Sequence, residues 1–125
     1  MYYFMDFENF YNQIMNIDKS VHYAVVLSKN GEKMFGGYRK DMDPILQEDE
    51  LKMVHFYAVQ RWDTRKNIEH RIGKNRYSMG EYEKMKRFAF PMTEKYLLMV
   101  HTYTENDHQK IISEILNLIK NIPEN

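Results

Sequence analysis

Two arginines one helical turn apart, beside the only tryptophan, are the residues best spaced to do chemistry. In Arg61-Trp62-Asp63-Thr64-Arg65-Lys66, a helix would put Arg61 and Arg65 on one face and Trp62 beside Lys66. Two guanidinium groups next to an indole suit a phosphate or carboxylate and can stack on a planar ligand. Arg39, after Gly36-Gly37, could converge on them. With Tyr77 and Arg87 added, the candidate ligand-binding set is Arg39, Arg61, Trp62, Arg65, Tyr77 and Arg87. The competing reading is structural. Arg65, Lys66 and Arg71 would balance the negative end of a helix dipole, and Trp62 would belong to the core. The C-terminal end of a helix repels anions, which favours the structural reading.

Other groupings are weaker. Lys86-Arg87-Phe88-Ala89-Phe90 partly resembles the signature strand of the RNA-recognition motif, whose aromatics stack on bases. Arg87 stands where that motif has glycine, Pro91 where it has valine, and Thr93 where it ends on an aromatic. An amphipathic strand with Phe88 and Phe90 in the core explains the pattern better. The five histidines, His22, His55, His70, His101 and His108, form no i,i+4 pair and no HExxH motif. His22 and His101 would approach each other only if their strands were neighbours. Asp41-Met42-Asp43 and Glu48-Asp49-Glu50 suit a turn and a helix start better than a Mg²⁺ site. Ser78 lacks the G-x-S-x-G elbow, and Gly36-Gly37 opens no phosphate loop. Cysteine is absent, so thiolate chemistry and disulfides are excluded. No catalytic residue, metal or cofactor is expected.

The elements must position these groups within 125 residues, enough for one α+β domain over 1–125. Net charge is zero, which gives no general reason to bind nucleic acid or a membrane. Locally, residues 61–87 carry nine Lys/Arg against four Asp/Glu, between acidic flanks. The start, Met1-Tyr2-Tyr3-Phe4-Met5-Asp6, has no signal-peptide pattern, and no apolar run nears the roughly 20 residues of a spanning helix. A cytoplasmic protein is expected.

Asp6 can cap a first helix with Phe7, Phe10, Ile14 and Ile17 in one stripe. Val21–Leu27 is an apolar, β-branched run broken only by His22, and reads as a strand covered on both faces. Asn30-Gly31 predicts a type I′ hairpin, and Gly36-Gly37 a bulge or close backbone approach. Pro44 suits the first position of a long helix ending at Gly73. Three strands follow near Asn75–Tyr82, Met85–Met92 and Tyr96–Tyr103. Asn106-Asp107 caps a last helix with Ile111, Ile112, Ile115, Leu118, Ile119 and Ile122 on its buried side, and Pro123 ends it. The order is α-ββ-α-βββ-α: a five-stranded antiparallel sheet flanked by three helices, with both all-apolar strands at its middle.

That order resembles the Roadblock/longin group of small domains and, more loosely, profilin, along nearly the whole chain. The resemblance implies a non-catalytic, dimeric module that binds small GTPases, motors or scaffolds. Gly36-Gly37-Tyr38-Arg39, Arg61 to Lys66, Gly73-Lys74, Tyr77-Ser78 and Glu81-Tyr82-Glu83-Lys84 also resemble an archaeal family of uncharacterised proteins of this length. Three functions are therefore open. The first is an interaction or regulatory module, homodimeric through the long helix and an edge strand. The second is a sensor holding a planar anionic ligand between sheet and helix. The third is nucleic-acid binding by residues 61–87.

Overall fold

Seven consecutive buried residues, Val21 to Leu27, need hydrogen-bonded neighbours on both sides and cover on both faces. The computed structural model, which describes residues 6–122, supplies both. Helix α1 spans Phe7–Met15, strand β1 Val21–Ser28 and strand β2 Lys33–Tyr38. Helix α2 spans Glu48–Arg65 and passes through a 3-10 turn, Lys66–Ile68, into the single turn α3, Glu69–Ile72. Strands β3 (Ser78–Glu81), β4 (Lys86–Pro91) and β5 (Tyr96–Thr102) follow, then helix α4 (His108–Lys120). All pairings are antiparallel and the sheet order is β2-β1-β5-β4-β3. The two apolar strands, β1 and β5, lie side by side inside the sheet, as expected.

Strand alternation sends side chains to two separate cores. On one face Val21, Ala24, Val26, Phe88, Phe90, Leu98 and Val100 meet Phe10 and Ile14 of α1 and Ile111, Ile112 and Ile115 of α4. On the other, Tyr23, Val25, Leu27, Leu97 and Met99 meet Ala58, Val59 and Trp62 of α2. Each fully buried aliphatic or aromatic side chain contributes about 1.5–3 kcal/mol. Asp6 caps α1 by accepting from the Asn9 N–H at 3.0 Å. Asp107 caps α4 by accepting from the Gln109 and Lys110 N–H groups.

Three local expectations are corrected. The β1–β2 turn is not type I′, because Gly31 (φ 81°) is left-handed and Asn30 is not. The Gly31 N–H bonds the Ser28 carbonyl at 3.0 Å and the Ser28 N–H bonds the Glu32 carbonyl at 2.9 Å. That is a longer turn closed by a glycine bulge. Pro44 does not begin α2. The Tyr38 hydroxyl bonds both the carbonyl and the N–H of Leu46, holding that residue out of the helix. The helix starts after Gln47, whose N–H donates to the Glu50 carboxylate at 2.8 Å. The strand expected from Asn75 forms only from Ser78, since Asn75 is tied to Glu69 and Tyr77. Gly73 does close the helical segment, at φ 89°. Gly36 marks a close backbone approach: at φ 110°, any Cβ there would collide with the Ala24 carbonyl oxygen. Pro123 lies outside the described residues.

Candidate functional site

On the α2 face a polar row crosses the sheet at right angles to the strands. Its register partners are Tyr38 on β2, Tyr23 on β1, His101 on β5, Arg87 on β4 and Gly80 on β3. The register slips between Val21 and Tyr23, and His22 joins the same cluster. The His22 ring lies 4.4 Å from Tyr103 and 6.3 Å from His101, centroid to centroid. The Tyr23 ring lies 4.7 Å from Tyr38 and 4.8 Å from His101. From α2, His55 reaches down so that its Nε2 meets the Tyr23 hydroxyl at 2.8 Å.

Burial governs the charges here. His101, fully buried, has its pKa pushed down to about 3, chiefly by desolvation, with the charge of Arg87 and the rings of His22 and His55 adding. Burial also lowers His22; the Ser20 backbone opposes this from outside hydrogen-bonding geometry, and Arg39 reinforces it. Burial and Lys33 lower His55. Burial raises the Tyr23 phenol, with Tyr38 and Glu48 adding. All three imidazoles are therefore neutral near pH 7. Among the described residues, no ring nitrogen of His22 or His101 has a hydrogen-bond partner, and neither does Nε of Arg87. Orphaned buried polar atoms cost about 1–3 kcal/mol each and are rare in native folds.

The six residues singled out in the sequence fall into separate places. Arg61 and Arg65 stand one turn apart on α2, and Arg87 lies on the sheet face that α2 covers; burial first, then the charges of Arg87 and Arg65, lower the Arg61 pKa against the opposing effect of Tyr82. Arg87 donates to the Tyr82 hydroxyl at 3.1 Å, with its guanidinium 5.8 Å from that ring's centroid. Trp62 is only 4% exposed and packs in the core, with the Lys66 ammonium 4.5 Å over its ring. Arg39 is elsewhere. Its guanidinium donates to the carbonyls of Val21 (2.8 Å), Met15 (2.7 Å) and Asp18 (3.2 Å), clamping the α1–β1 connection. Tyr77 lies against Phe90, under the opposite face. Side chains of both elements fill the space between α2 and the sheet where a planar ligand was expected. A groove of about 420 Å³ does open beside α2, lined by Phe56, Asp63 and Lys66 and by Lys29-Asn30 of the β1–β2 turn. None of Arg61, Arg65 and Arg87 lines it.

Phe88 and Phe90, 1% and 0% exposed, are core residues and offer no face to a nucleobase. Lys86, counted in the basic island, is buried; its ammonium donates to Asn106 at 2.8 Å and meets His108 Nδ1 at 3.1 Å. Among the described residues no group of three metal-ligating side chains converges. The sequence hinted at His22 near His101. It gave no sign of the Tyr23–His55 pair, except that His55 shares a helical face with Leu51, Ala58 and Trp62.

The fold is that of known small α+β domains. A Roadblock/LC7 domain from Streptomyces avermitilis superposes with a TM-score of 0.64, 19% identity, and 88% of this chain and 91% of that chain covered. A structure of MglB in a tetrameric arrangement gives 0.73, 11%, 96% and 89%. Profilin II of Acanthamoeba castellanii gives 0.60, 9%, 90% and 92%. At these identities the likeness is one of fold. No curated protein matches the sequence. The profile of a family of unknown function, DUF6659, matches residues 4–122, and the chain belongs to that family.

Proposed function

We propose that this protein is a non-enzymatic regulatory module that acts as a homodimer, joined through the outer flank of α2 and the free edge of β3, and that the dimer engages a second protein. The observation that carries this is an apolar stripe left exposed to solvent among the described residues. Met53, Tyr57 and Ile68 are 54%, 50% and 52% exposed. At helical spacing Met53, Tyr57, Arg61 and Thr64 fall on one flank of α2, and Ile68 in the following turn continues it. Arg61, on that flank, has its pKa lowered in part by Arg87 on β4, which supports a flank lying on the β4–β3 side of the sheet. β3 is the last strand of the sheet and its outer hydrogen-bonding groups face away from β4. An exposed edge beside an exposed apolar stripe suits pairing with a second copy.

The Roadblock/LC7 fold supports an interaction role, and the tetrameric MglB structure shows that this fold can self-assemble. A small GTPase is the partner class that the Roadblock resemblance implies. An archaeal source rests on the sequence resemblance. A cytoplasmic setting is supported by the lack of cysteine, and no helix among the described residues is long and apolar enough to cross a membrane.

Sedimentation equilibrium tests the dimer. The wild-type chain should sediment as a dimer at micromolar concentration. The double variant Tyr57→Glu, Ile68→Glu should be monomeric with unchanged circular dichroism, because both positions are exposed. A wild-type monomer at the highest soluble concentration would overturn the reading.

A further inference from the structure

Arg61, Arg65 and Arg87 lie near one another, and among the described residues none of them forms an ion pair. Among the described residues only one ion pair forms, Lys74 with Glu94, and it involves none of the three. Arg61 and Arg65 stand one turn apart on α2, and Arg87 comes from β4. Arg87 spends one N–H on the Tyr82 hydroxyl, while its buried Nε–H has no acceptor. The Tyr82 oxygen accepts from Arg87, which leaves its own proton free to donate. Behind Arg87, in register, stands fully buried His101 with both ring nitrogens unpartnered. Gly80, the register partner of Arg87 on β3, presents no side chain there, and the Tyr82 ring lies 3.5 Å from where its Cβ would be.

We propose that Arg61, Arg65, Arg87 and Tyr82 form a binding site for the phosphoryl group of a small soluble ligand, at the β3 side of α2. Three guanidinium forks offer more donors and more charge than one carboxylate can use. A phosphate or diphosphate group, with two or more negative charges and several acceptor oxygens, matches them. The ligand sits on the helix flank and not beneath α2, where the core is filled. Arg61 and Arg65 stand in the last turn of α2, so the helix dipole opposes an anion there and the three guanidinium charges must outweigh it.

The site uses the residues of one chain but shares Arg61 with the flank given to the dimer, so binding is measured on wild type and on the Tyr57→Glu, Ile68→Glu variant, which keeps all four site residues. A monomer that binds phosphate sinks only the dimer; a dimer that does not bind sinks only this site. The probes are inorganic phosphate, pyrophosphate and a phosphoserine peptide, with acetate and chloride at matched ionic strength. Calorimetry and thermal unfolding are the readouts. Pyrophosphate should bind saturably and raise Tm by about 5 °C at roughly ten times its Kd, while acetate should not. The variant Arg61→Gln, Arg65→Gln changes two helix-flank residues, and it should weaken pyrophosphate by at least roughly ten-fold while folding normally. Arg87→Met should do the same, and the double variant guards against its failing to fold. Three results would each overturn the proposal: no saturable binding of pyrophosphate, equal effects of acetate and pyrophosphate, or binding unchanged in the double variant. Binding of the phosphopeptide without pyrophosphate would also overturn it, since the source would then be a modified protein.

Discussion

Acid should weaken this fold earlier than carboxylate titration alone would, and His101 is the main reason. It lies on the central strand under α2, facing His22 and Tyr23 from β1, Arg87 from β4 and the nearby His55 of α2, with Tyr38 and Tyr103 closing the cluster. In the unfolded chain its pKa is about 6.5, whereas in the fold it is pushed down to about 3. Above pH 6.5 the imidazole is neutral in both states, and the fold pays no penalty for it. As pH falls below 6.5 the unfolded chain takes up a proton that the fold refuses, so stability falls, down to about pH 3. The loss is about 1.4 kcal/mol per pH unit, or about 2 kcal/mol between pH 7 and pH 5 from His101 alone. His22 and His55 act in the same direction. Since domains of this size are stable by only about 5–15 kcal/mol, that loss is large. The assay is urea unfolding at pH 7, 6 and 5 for wild type and His101→Leu. Leucine has similar volume and cannot titrate. The variant should lose about 2 kcal/mol less between pH 7 and 5 than wild type does. Parallel pH curves for the two proteins would refute the reasoning, because His101 would then be charged or exposed in the fold.

Two further perturbations probe the scaffold. Gly36→Ala should cost about 2–4 kcal/mol, because φ is 110° and the new Cβ meets the Ala24 carbonyl. Gly37→Ala should cost less, since nothing lies within 4 Å of a Cβ there, and equal losses in urea unfolding would contradict this. Arg39→Met should cost about 2–4 kcal/mol by releasing three backbone carbonyls at the α1–β1 connection. The same variant should leave pyrophosphate binding unchanged by calorimetry, and a loss of binding would return Arg39 to the ligand site.

The layout of this protein was legible in its sequence wherever the signal is local. Two apolar runs, Val21–Leu27 and Tyr96–Val100, have no polar face to give to water, so they had to lie inside the sheet. Asp6 and the pair Asn106-Asp107 point to helix starts because a short polar side chain just before the first turn bonds its free N–H groups, and the structure puts that role on Asp6 and Asp107. Turn type and helix start are not fixed by the dipeptides Asn30-Gly31 and Asp43-Pro44 alone. Tyr38 holds Leu46 out of α2, and the hairpin closes with Gly31 alone left-handed. The six candidate residues could not be sorted from spacing either. Helical spacing pairs Arg61 with Arg65, but strand register sets Arg87 beside buried His101, and only the packing of α2 on that face brings the helix near them, while Tyr77 lies against Phe90 on the other face. Arg39 was drawn away by three carbonyls that no linear pattern places near it. Composition and periodicity determined which segments are greasy enough to be central. Which charged groups meet depended on inter-strand register and on the packing of α2, properties of pairings between residues far apart in the chain.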